Sequence, residues 1–107
     1  MLKTARLRRT VAKLDALAVA AAAKQQERRA RCVEHIVRLE QDLPRLRQLV
    51  RIAPSRRHAV GLALMIEAAE ERVRAWVHLG KGECLEAMYA RRISWRLVNQ
   101  AARAWRT

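Results

Sequence analysis

The side chains that could do chemistry are few, and their spacing argues against it. Cys32 and His35 stand three positions apart, which on a helix puts a thiol and an imidazole on one face and offers two ligands to a metal ion. No further ligand follows at suitable spacing, and His58 and His78 are isolated, so neither a metal nor a cofactor is expected. Ser55 and Ser94 are the two serines. Neither lies in the glycine-flanked elbow of a hydrolase nucleophile, and Ser55, directly after Pro54, reads as a helix cap. Gly80-Lys81-Gly82 contains a Gly-Lys pair but lacks the upstream glycine and the following Ser or Thr of a phosphate-binding loop. Glu67, Glu70 and Glu71 form the acidic cluster of the chain, and an i,i+4 ion pair from Glu70 to Arg74 accounts for Glu70 without catalysis. The expectation is a non-enzymatic protein with no small-molecule substrate.

Arginine is what the chain has in excess. There are 23 Lys and Arg against 10 Asp and Glu, a formal net charge of +13, and nineteen of the basic residues are Arg. Residues 1–53 carry 13 basic and 5 acidic side chains, residues 54–107 carry 10 and 5, and no acid follows Glu86. An excess of this size calls for a negatively charged partner, either an acidic protein surface or nucleic acid. The residues expected to make that contact are the pairs Arg8 and Arg9, Arg28 and Arg29, Arg56 and Arg57, and Arg91 and Arg92. Arg45, Arg47 and Arg51 join them near the middle of the chain. Guanidinium pairs of this kind can clamp carboxylates or phosphates bidentately. Trp95 or Trp105 could stack on bases, but both fall on an apolar stripe, so core packing is the simpler role. No helix-turn-helix, zinc-finger or RNA-recognition motif is present.

The elements that position these residues are helical. Leu7, Val11, Leu14, Ala18 and Ala21 recur at spacings of four and three, and Cys32, Ile36, Leu39, Leu43, Leu46, Val50 and Ala53 continue the stripe. Joining the two runs takes a four-four step at Arg28, Cys32 and Ile36, a stutter that locally unwinds a supercoil. Glu27 with Arg31 and Glu34 with Arg38 are spaced for i,i+4 pairs. Pro44 predicts a kink or a helix restart near residues 41–44, because it deletes one backbone hydrogen bond and crowds the preceding turn. Ala53-Pro54-Ser55 is the strongest break. Beyond it Leu62, Ile66, Ala69, Val73 and Trp76 rebuild the stripe; Gly80 to Gly82 breaks it again, and Cys84, Met88, Trp95, Val98, Ala102 and Trp105 form a last apolar face. The fold class is therefore all-α, a single helical domain over 1–107. Either it is an antiparallel, coiled-coil-like hairpin with arms of about 2–53 and 55–107, or it is a three-helix arrangement that turns again at Gly80. The near-equal halves favour the long hairpin.

Length and targeting bound the rest. A 107-residue fold buries only about two-thirds of its unfolded surface, which leaves stripe for a partner or a second copy, so a homo-oligomer is compatible with the pattern. Cys32 and Cys84 follow no disulfide framework, and a reducing compartment is expected. The basic, Ala-rich opening has Asp15 inside its apolar run, against a secretory signal, and no stretch reaches the length of a membrane span. A cytoplasmic, non-transmembrane protein is the expectation.

The basic start Leu2-Lys3-Thr4-Ala5-Arg6-Leu7-Arg8-Arg9, the Ala- and Gln-rich run from Ala20 to Gln26, and the Arg-rich return arm resemble the small coiled-coil stalk proteins of type III secretion and flagellar export. The resemblance implies a two-helix antiparallel coiled coil that sits in or near a hexameric export ATPase, contacts the export gate and serves as a stalk and adaptor. On that reading the Arg-bearing faces would meet acidic surfaces of the ATPase ring. This chain is short for that family, and Pro44 interrupts an arm that the family keeps straight.

Overall fold

Two short breaks divide the chain into α1 (Leu2–Arg51), α2 (Arg56–Gly80) and α3 (Cys84–Arg106), as seen in a computed structural model. Residues 2–106 are described, Leu2 by its backbone alone; Met1 and Thr107, the ends of the expected single domain, lie outside them. At the first break Ile52 and Ala53 still donate to carbonyls of α1, Pro54 ends the run, and Ser55 caps α2. The Ser55 hydroxyl accepts from the His58 backbone N–H at 3.2 Å, which is the role its position predicts. At the second break Gly82 has φ of +81°, the left-handed conformation that glycine adopts without penalty. The Glu83 N–H returns to the His78 carbonyl at 2.9 Å and the Gly82 N–H to that of Leu79 at 3.0 Å. This pair of bonds is a Schellman closure, and it turns the chain fully rather than kinking it.

Of the two expected arrangements, the three-helix one forms. α2 packs antiparallel on the C-terminal half of α1, and α3 packs antiparallel on α2, while among the described residues no Cα of α1 comes within 8 Å of one in α3. The α1–α2 register is fixed by Arg47 beside Glu70, His35 on Trp76, and Cys32 beside Gly80. Between α2 and α3 it is fixed by Ser94 on Ala68 and Trp105 over Gly61. The helices therefore lie as an open row with α2 in the middle instead of a closed bundle, with Cα extents of 81 × 22 × 15 Å.

The stripe of α1 packs as its spacing predicts, but only where α2 can reach. Cys32 and Leu43 are buried, and Ile36, Leu39, Leu46, Val50 and Ala53 are half-buried. The end of α2 lies opposite Cys32, so packing begins at the four-four step. Residues 3–31, N-terminal to it, are exposed helix: Leu7, Val11 and Leu14 are 65, 54 and 60% exposed. This arm, about 26 residues and so about 40 Å long, stays helical because it prolongs a packed helix and is rich in Ala, the best helix former.

Three expectations change. Of the kink or restart expected near residues 41–44, the restart does not occur, because α1 is continuous through Pro44. Pro44 faces solvent, where water can satisfy the carbonyl it leaves free, and Leu43 and Leu46 on either side hold the helix to α2. Glu70 reaches across to Arg47 at 3.6 Å, and Arg74 pairs with Glu71 at 3.0 Å instead. Among the described residues, Glu27–Arg31 and Glu34–Arg38 do not close to within 4.0 Å. The third correction concerns α3. Its buried side chains are Ala87, Ala90, Ser94 and Ala101, one position round the helix from the expected face, whereas Met88 and Trp95 are each 52% exposed. The small seam wins because it lets the α2 and α3 backbones approach, and the Ser94 hydroxyl then donates to the Ala68 carbonyl at 2.9 Å. Among the described residues no helix is long and apolar enough to cross a membrane.

Candidate docking surfaces

The eleven arginines expected to meet a partner do not converge on one place. Arg8 and Arg9 lie on the free arm, and Arg28 and Arg29 at its junction with the packed region. Arg45, Arg47 and Arg51 occupy the last turns of α1 and Arg56 and Arg57 open α2, so these five gather around the first turn. Arg91 and Arg92 lie on α3. All eleven are exposed, and among the described residues Arg47 alone of them has a carboxylate within 4.0 Å. The first turn of α2 has no acid to offset Arg56 and Arg57, which sit at the positive end of the helix dipole. That helix start would gain from an external anion.

The arm joins this charge to apolar surface. Leu7, Val11, Leu14, Leu17 and Val19 are all more than half exposed, beside Lys3, Arg6, Arg8, Arg9 and Lys13. Of these, Leu7, Val11 and Leu14 continue the face that packs on α2 further along, so they have the spacing of a coiled-coil seam on which no helix of the described residues packs.

A second surface, which the sequence reading does not single out, lies between α1 and α3. Because the α1 and α3 backbones stay apart among the described residues, α2 forms the floor of an open trough of about 600 Å³. α1 contributes His35, Arg38 and Leu39; α2 contributes Arg72, Trp76 and Leu79. The α3 wall is Cys84, Met88, Arg91 and Trp95, part of the apolar face that the spacing of α3 assigns to the core. His35 stacks on Trp76 with ring centroids 4.1 Å apart and planes within 7°. That contact keeps His35 on the trough wall, while Cys32, its neighbour on the helix, is buried against Gly80. The thiol and the imidazole are thus drawn to different packing roles, and among the described residues no three ligand-type side chains gather around one point.

No protein-family model matches this chain, and neither does any curated protein or solved structure.

Proposed function

We propose that this chain is a non-enzymatic helical adaptor that docks through the free arm of α1 on an acidic protein surface. The observation that carries the reading is the arm itself, about 40 Å of exposed helix with an unpartnered Leu7–Val11–Leu14 seam flanked by cations. A phosphate backbone would neutralise the charge but leave the seam wet; an acidic helix or groove covers both. The specific form of the proposal is a stalk-like component of a type III export ATPase, with the arm seated against an acidic ring. It draws on the resemblance of the arm sequence, and it departs from a plain two-helix stalk because α2 lines only half of α1.

Nucleic acid is the second reading, favoured by one observation. Trp95 is half exposed beside Arg91 and Arg92 on a helix with no acid after Glu86, a place where a base could stack and phosphates could bind.

Photo-crosslinking in the native host from positions 7, 11 and 14 tests the first reading. Crosslinks to an acidic protein, lost from each position when the other two of Leu7, Val11 and Leu14 are changed to Asp, are expected. Crosslinks to nucleic acid alone, or binding of random duplex at near-physiological salt that survives those changes, would replace it with the second.

A further inference from the structure

We propose that the trough between α1 and α3 is a second docking site, built to take one short acidic amphipathic helix as the missing fourth member of the bundle. The proposal is independent of the arm, because it rests on the packed region alone.

Geometry comes first. Three helices in a row leave one vacant helix position, above α2 and between its neighbours. α3 is made for contact on two sides: the Ala87–Ala90–Ser94 seam goes to α2, and a second seam, Cys84–Met88–Trp95, faces the trough. Arg72, Ala75, Trp76 and Leu79 follow i,i+3,i+4,i+7 spacing and present a single face of α2 as its floor. The α3 wall from Cys84 to Trp95 is about 16 Å long at 1.5 Å per residue, which matches three turns of helix.

Charge decides the occupant. Each helix places one arginine at the trough, Arg38, Arg72 and Arg91, and no Asp or Glu lines it. None of the three has a carboxylate within 4.0 Å among the described residues. A second copy meeting this one trough to trough would set arginines against arginines. The arm of a second copy fares little better, since Lys3, Arg6, Arg8, Arg9 and Lys13 accompany its seam against Asp15 alone. A helix with apolar residues at i, i+3, i+4 and i+7 and Glu or Asp on its flanks meets both requirements: its seam covers Trp76, Met88 and Trp95, and its carboxylates reach the three guanidiniums.

The probe is a synthetic, end-blocked peptide of about 14 residues with Leu at those spacings and Glu on the flanks, titrated into the full chain by calorimetry and tryptophan fluorescence. Binding with a blue shift is expected, weakened about tenfold or more in the Arg38→Gln/Arg72→Gln/Arg91→Gln variant and again in Met88→Glu. These side chains are exposed, and circular dichroism verifies that the variants stay helical. The Leu7→Asp/Val11→Asp/Leu14→Asp variant should bind the peptide unchanged, so failure of the arm reading and failure of this one remain separable. Equal affinity for a Lys-flanked version of the peptide, or full affinity in the triple-Gln variant, would overturn the proposal. So would concentration-dependent self-association that Met88→Glu abolishes, which makes a second copy the occupant, or a blue shift given by a single-stranded oligonucleotide and not by the peptide.

Discussion

Leu14 and Leu43 lie on one stripe of one helix, yet the first is 60% exposed and the second 9%. Nothing in the local sequence separates them: both are leucines at seam positions with cations nearby. Their difference lies in α2, which is long enough to cover the stripe back to Cys32 and no further. An amphipathic pattern specifies that a face will be buried, and leaves open whether the chain itself supplies the cover.

That contrast can be broken by substitution. Leu43→Ala should cost about 3 kcal/mol in chemical denaturation, by lost burial and the cavity left behind. Ser94→Ala should cost about 1 kcal/mol by removing the bond to the Ala68 carbonyl, a polar link between α2 and α3. For Gly61→Ala two effects oppose. The new methyl meets the Trp105 indole, while a helix gains about 1 kcal/mol from Ala over Gly. Near-neutral stability is expected, with a red-shifted fluorescence component as Trp105 swings into water. Arg47→Gln should cost less than about 0.5 kcal/mol, since both partners of the Arg47–Glu70 pair are more than half exposed. Smallest of all, Leu14→Ala should leave the unfolding midpoint where it is, as expected for a surface change within about 0.5 kcal/mol. A cost for Leu14→Ala close to that of Leu43→Ala would mean that the arm is covered in solution, by a second copy.

The sequence was legible where period and punctuation agree. Pro54 with Ser55, and Gly80 to Gly82, set both breaks, and the run from Cys32 to Ala53 is the face that packs. It was least legible on α3, where two heptad-spaced seams lie side by side. Hydrophobicity favours the one with Met88 and Trp95; the structure uses the one with Ala87, Ala90 and Ser94, because backbone approach outweighs side-chain size at that contact. Two full seams on one 23-residue helix were a readable sign of two neighbours, and hence of the trough. The ion pair of Glu70 was not readable, because its partner Arg47 comes from another helix. The arginine pairs were visible as residues, but their scatter over the arm, the first turn and α3 depends on the tertiary arrangement.

α1 has no joint between its free and packed halves. One unbroken helix therefore carries both the Leu7–Val11–Leu14 seam and the His35, Arg38 and Leu39 wall of the trough, at a rise of about 1.5 Å per residue between them.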